Sequence, residues 1–97
     1  MVNILMGAKG WRLTKNACET PMCIKKLNSV TMIVFKGING KPCELHIHMN
    51  PYIPQQSVNL HFHDWESACN EADDVYRGLL TKAIEYLIKQ IQLLPDI

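Results

Sequence analysis

VTMIVFKGINGKPCELHIHM, residues 30–49, reads as a β-hairpin. Val30 to Lys36 is rich in β-branched and aromatic side chains, which pack well on a pleated surface. Asn39-Gly40 supplies the two positive-φ residues of a type I′ turn, the strongest short-range hairpin signal. Beyond the turn, Cys43 to Met49 alternates, with Glu44, His46 and His48 on one face and Leu45, Ile47 and Met49 on the other. Asn50-Pro51 and Pro54 end that strand, because proline has no amide hydrogen to give to a ladder. Val58, Leu60 and Phe62 then alternate with Asn59, His61 and His63, the pattern of a third antiparallel strand.

C-terminal to this meander the period changes. Asp64 is placed to N-cap a helix, with Glu66 favourably near its positive end. Apolar residues follow at 65, 68, 69, 72, 75, 76, 79, 80, 83, 84, 87, 88 and 91, steps of three and four that make one buried stripe. Pro95 stops it. A helix from Trp65 to Leu94 would be about 45 Å long at 1.5 Å per residue, against a diameter of roughly 33 Å for a compact domain of this size. The length favours a kink or break between Asp73 and Gly78, where glycine costs about 1 kcal/mol relative to alanine. Either way, part of the stripe should be left for a partner.

N-terminal to the hairpin, Gly7, Gly10 and Pro21 interrupt any period, with Met1 to Met6 as a short strand at most. The expected architecture is therefore α+β in a single domain over 1–97. It comprises an irregular N-terminal segment (1–28), a three-stranded antiparallel meander (29–63) and a long C-terminal helix (64–94), kinked if its length forces it. Ninety-seven residues hold one core, and 47% apolar with 20% charged residues suits a globular chain.

The net charge of +1 does not by itself call for a polyanion. Its distribution is uneven. Residues 1–41 carry seven bases against Glu19, a balance of +6, and residues 42–97 carry three bases against eight acids, a balance of −5. Two solvated, mutually compensating faces are the plainer reading, and direct nucleic-acid binding is not favoured. An RNA-binding strand–strand–strand–helix domain would want a basic helix start, and here it is acidic. No signal peptide and no stretch of about 20 apolar residues is present, so a cytoplasmic protein with reduced cysteines is expected.

His46-x-His48 and His61-x-His63 each set two imidazoles on one strand face. Pairing about the centre of the 50–57 connection would put His46 opposite His61, close enough for Zn²⁺. Alternation alone puts polar residues on the open face of a half-buried sheet, so no metal or other cofactor is expected, with these histidines the candidates if one binds. No nucleophile, paired acid–base or phosphate-loop spacing is present, and no catalytic residue is assigned. The exposed contacts expected for a partner are Pro51, Tyr52, Ile53 and Pro54 in the proline-held loop, and Trp65, Tyr76, Tyr86 and Ile91 on the helix stripe.

The opening NILMGAKGWRLTKNACETP and the closing WESACNEADDVYRGLLTKAIEYLIKQIQLLP, with the chain length, resemble the small RecBCD-modifying accessory proteins of lambdoid phages, the Abc-type anti-RecBCD proteins. The resemblance covers the whole chain. It implies a non-enzymatic phage protein in the host cytoplasm that docks on RecBCD, chiefly its RecC subunit, and alters exonuclease activity and Chi response to favour phage recombination. It also implies a host prolyl isomerase as a second partner, with Pro51 and Pro54 the exposed candidates. The alternatives are a small metal-binding module built on the histidines and a nucleic-acid-binding protein.

Overall fold

The structure, a computed structural model, describes residues 3–4, 9–28, 30–51 and 53–95. Within them the chain runs β1 (Asn3–Ile4), β2 (Arg12–Lys15), β3 (Pro21–Leu27), β4 (Val30–Phe35), β5 (Glu44–His48), β6 (Gln56–Asn59) and α1 (Trp65–Leu93). The strands form one antiparallel meander in chain order, five of four residues or more with the two-residue β1 at the edge. The α+β class stands, but the meander has more than the three strands expected. The segment 1–28, expected to be irregular, supplies β2 and β3.

Side-chain alternation splits this sheet into two faces. Leu13, Cys23, Val34, Leu45 and Val58 stand in one cross-strand row, and Lys25, Met32, Ile47 and Gln56 in the next. Cys23, Val34, Met32, Leu45 and Ile47 in these rows are fully buried beneath α1. Each of the Val, Met, Leu and Ile side chains among them contributes roughly 1.5–3 kcal/mol by leaving water. The opposite face carries Arg12, Ile24, Ile33, His46 and Ser57 in one row, with Thr14, Met22, Phe35, Glu44 and Asn59 beside it. Residues of that face in β4 and β5 are only half-buried.

The hairpin turn is as expected. Asn39 (φ 57°) and Gly40 (φ 78°) both adopt the left-handed region, and Lys41 N–H donates to Ile38 O at 3.3 Å. Gly37 cannot carry a side chain, since a Cβ there would lie 2.1 Å from the carbonyl oxygen of Lys41.

The helix starts where expected: the Asp64 carboxylate accepts from Ser67 N–H at 2.9 Å. It ends at Leu93 because Pro95 forces Leu94 into extended backbone (ψ 140°). The expected break is not found. α1 runs 29 residues unbroken, since Gly78 is exposed and Asp73 has a structural task described below. Small residues let the helix lie close to the sheet, and only Ala68, Cys69, Ala72 and Tyr76 of α1 are buried. Past Leu80 the helix leaves the sheet behind. The radius of gyration of 15.9 Å and a longest dimension of 55 Å reflect that overhang, against about 13 Å for a compact chain of this length.

Candidate functional site

Three polar ties fix α1 on the sheet and thereby aim its free end. Lys25 Nζ donates to both Asp73 oxygens at 2.9 and 3.0 Å, and Trp11 Nε1 donates to Oδ1 at 3.2 Å. Lys25 also lies 5.5 Å from the centre of the Trp11 ring, which is fully buried. At the helix start, Lys36 Nζ sits 5.0 Å over the Trp65 ring and donates to His63 O. At the loop, Asn50 Nδ2 donates to Tyr76 Oη at 2.7 Å while Asn50 Oδ1 accepts from Ile53 N–H at 2.9 Å.

Beyond these ties, Ile84, Tyr86, Leu87, Ile88, Ile91, Leu93 and Leu94 are between 42% and 77% exposed. Leu87, Ile88 and Ile91 lie three, four and seven residues beyond Ile84, so the four share one side of the helix, with Leu94 at its C-cap. Between residues 81 and 94 the only charges are Lys82, Glu85 and Lys89. An ordinary monomer exposes apolar patches of at most roughly 300–600 Å², usually functional ones, and a helix apolar over this much of its circumference is one that becomes buried. Exposed Pro51 faces the root of this segment, lining a shallow groove of about 360 Å³ with Ala83, Tyr86 and Leu87.

Comparison of the chain with protein-family models, with curated proteins and with solved structures finds no match.

The structure gathers some of the expected contact residues and removes others. Pro51 and Tyr86 meet in the groove, Ile91 stands exposed further along the helix, and Pro54 is exposed on the loop. Ile53, expected to be an exposed contact, is instead a core residue at 5% exposure, because its amide is folded back onto Asn50. Tyr76, at 8% exposure, is likewise part of the core, and half-buried Trp65 packs against it. Tyr52 lies outside the described residues. Ile84, Leu87 and Ile88 join the site in their place; they belong to the same apolar period, and only the absence of sheet beneath them sets them apart.

The four histidines do not converge. β5 and β6 pair with His46 opposite Ser57 and Glu44 opposite Asn59, four residues away from the register that would have opposed His46 to His61. β6 ends at Asn59, after which Leu60 turns into the core and the chain departs toward α1. His46 and His48 stay on the open face, whereas His61 pairs with Glu71, whose Oε1 also accepts the His61 N–H at 2.7 Å. His63 is exposed beside the helix cap. No group of three or more His, Cys, Asp or Glu among the described residues is arranged to hold a metal ion.

Cys23, Cys43 and Cys69 are buried and Cys18 is exposed. Burial raises the pKa of the Cys43 thiol, and a hydrogen bond with Cys23 together with burial raises that of Cys69. These thiols act as small apolar side chains between sheet and helix. No described helix is long and apolar enough to cross a membrane.

Proposed function

We propose that this chain is a non-enzymatic binding protein that docks through the distal half of α1 and the Pro51 groove onto a larger protein. The observation that carries the reading is the row Ile84, Leu87, Ile88 and Ile91, open to solvent on a helix whose other half is anchored to the sheet and its loops through Trp65, Asp73 and Tyr76. A helix laid by its apolar side into a groove, with anchors at i, i+3, i+4 and i+7, is a recurrent recognition mode. The anchored half makes the free half a preorganised probe, so little ordering entropy opposes docking.

The resemblance to Abc-type anti-RecBCD proteins names the partner in this proposal: host RecBCD, through RecC. Binding there would shift exonuclease activity and Chi response in favour of phage recombination in the host cytoplasm. A host prolyl isomerase is the second partner the resemblance brings, and exposed Pro51 and Pro54 are its accessible substrates. The test is direct binding of the purified full chain to purified RecBCD, with nuclease activity on linear duplex followed in parallel. Saturable binding with altered degradation is expected; a folded chain that neither binds nor alters degradation would remove RecBCD from the account.

A further inference from the structure

The open face of the sheet is a second surface, remote from the distal helix. Phe35, His46 and His48 form a continuous aromatic ladder across β4 and β5. The Phe35 and His46 rings meet edge to face at 5.0 Å, and His46 and His48 lie nearly parallel at 6.3 Å. Ile24 and Ile33, in the row of His46, continue this half-buried strip toward β2. Its far border is basic: Arg12 is paired with Ile24, Lys26 with Thr31, and both bases are exposed. Glu44 is the one acid on the strand positions of this face.

The charge asymmetry of the sequence thus becomes a layer asymmetry. Residues 9–59, the sheet and its connections, carry seven bases and two acids, whereas Asp64 and α1 carry six acids and three bases. Lys25 pairs with Asp73 on the helix side, so Arg12 and Lys26 are the cations at the described strand positions of the open face.

We infer that this face binds single-stranded nucleic acid. Unpaired bases stack on Phe35, His46 and His48, and the phosphates run along Arg12 and Lys26. Stacking on a ring is available to every base, and a sheet bearing a few rings with cations at its border is a platform for single strands. Arg12 on β2 stands two strands from Phe35, about 10 Å at the usual strand spacing, within reach of a backbone flanking the stacked bases. A duplex hides its base faces and does not fit the ladder.

The probe is a fluorescent 12-nucleotide oligodeoxythymidine, titrated with the full chain by anisotropy at low salt, beside an all-abasic strand of equal length and a duplex. Binding is expected to weaken at least about tenfold in R12E/K26E, in H46A/H48A and on the abasic strand, and to fall with added salt as counterions are released. The distal-helix variant L87D/I91D is expected to bind the oligonucleotide like wild type, which separates this surface from the protein-docking one. Three results would overturn the inference: no binding by folded wild type, equal binding to the abasic strand, or binding untouched by R12E/K26E. A dimer that R12E/K26E dissociates, without oligonucleotide binding, would overturn it too and assign the face to a second copy of the chain.

Discussion

Asn50 donates its side-chain amide to the Tyr76 hydroxyl at 2.7 Å, and this bond joins the β5–β6 loop to the middle of α1. Tyr76 is the last buried residue of the helix. The same asparagine holds the Ile53 amide, so one side chain fixes both the loop that carries Pro51 and the point where the helix leaves the sheet. Tyr76→Phe removes the hydroxyl without removing the ring. It should cost about 1 kcal/mol, the net value of one hydrogen bond, and accelerate hydrogen exchange at the Ile53 amide. Urea denaturation and exchange measured together check this; an unchanged Ile53 amide would separate the loop from the helix.

Asp73 neutralises Lys25 and accepts from Trp11, and both carboxylate oxygens are engaged. Asp73→Ala leaves a largely buried ammonium and an indole N–H without that acceptor. The expected loss is about 2–4 kcal/mol, read as a lower urea midpoint. A loss below 0.5 kcal/mol, the level of an exposed ion pair, would show that the triad does not hold helix to sheet.

Three of the four thiols are out of solvent. A disulfide reagent such as dithionitrobenzoate should therefore react rapidly with one thiol per native chain, at Cys18, and with all four in denaturant. Cys18→Ser should abolish the fast reaction. Fast reaction of two or more thiols would mean that the helix lifts from Cys23 and Cys69 far more readily than its packing implies.

Asp64 and Glu71 both contribute to a loss of stability in acid. Hydrogen bonds from the Ser67 backbone and hydroxyl hold the Asp64 carboxyl below its ordinary pKa. For Glu71, burial pushes the pKa up, but hydrogen bonds from the His61 amide and imidazole outweigh it and the net shift is down. A carboxyl whose folded pKa lies below its unfolded value, about 3.9 for Asp and 4.3 for Glu, contributes fully above that value. Its contribution is lost as pH falls through the folded pKa. The urea midpoint should be insensitive to these two groups above about pH 5 and fall below about pH 4. Asp64→Asn keeps a capping oxygen but cannot titrate, so its acid decline should be shallower; an identical decline would exclude the cap as a cause.

What the sequence makes legible is whatever depends on neighbours along the chain. The Asn39-Gly40 turn, the alternation of β4 and β5, the Asp64 cap and the Pro95 stop are all local and all present. β3 was hidden because PMCIKKL mixes character on both faces. Lys25 points under the helix, which is tolerable only because Asp73 waits there, 48 residues away. The same pair explains the missing break, since Asp73 looks like a helix interrupter until its partners are seen. The β5–β6 register was equally opaque, being tied to Asn50 and Tyr76 through contacts 26 residues apart. Periodicity alone likewise cannot tell which half of the stripe has a sheet beneath it, so Ile84, Leu87 and Ile88 resemble core.

The most direct test of the docking account is paired measurement of stability and RecBCD affinity in L87D/I91D. Both side chains are exposed, so the unfolding free energy from urea denaturation should fall by no more than about 1–1.5 kcal/mol for the two substitutions, while affinity for purified RecBCD should fall at least about a hundredfold, as for loss of interface anchors. Full binding by the variant would contradict the claim that the overhanging half of α1 is the docking element. A collapse in stability would contradict the claim that this half is free.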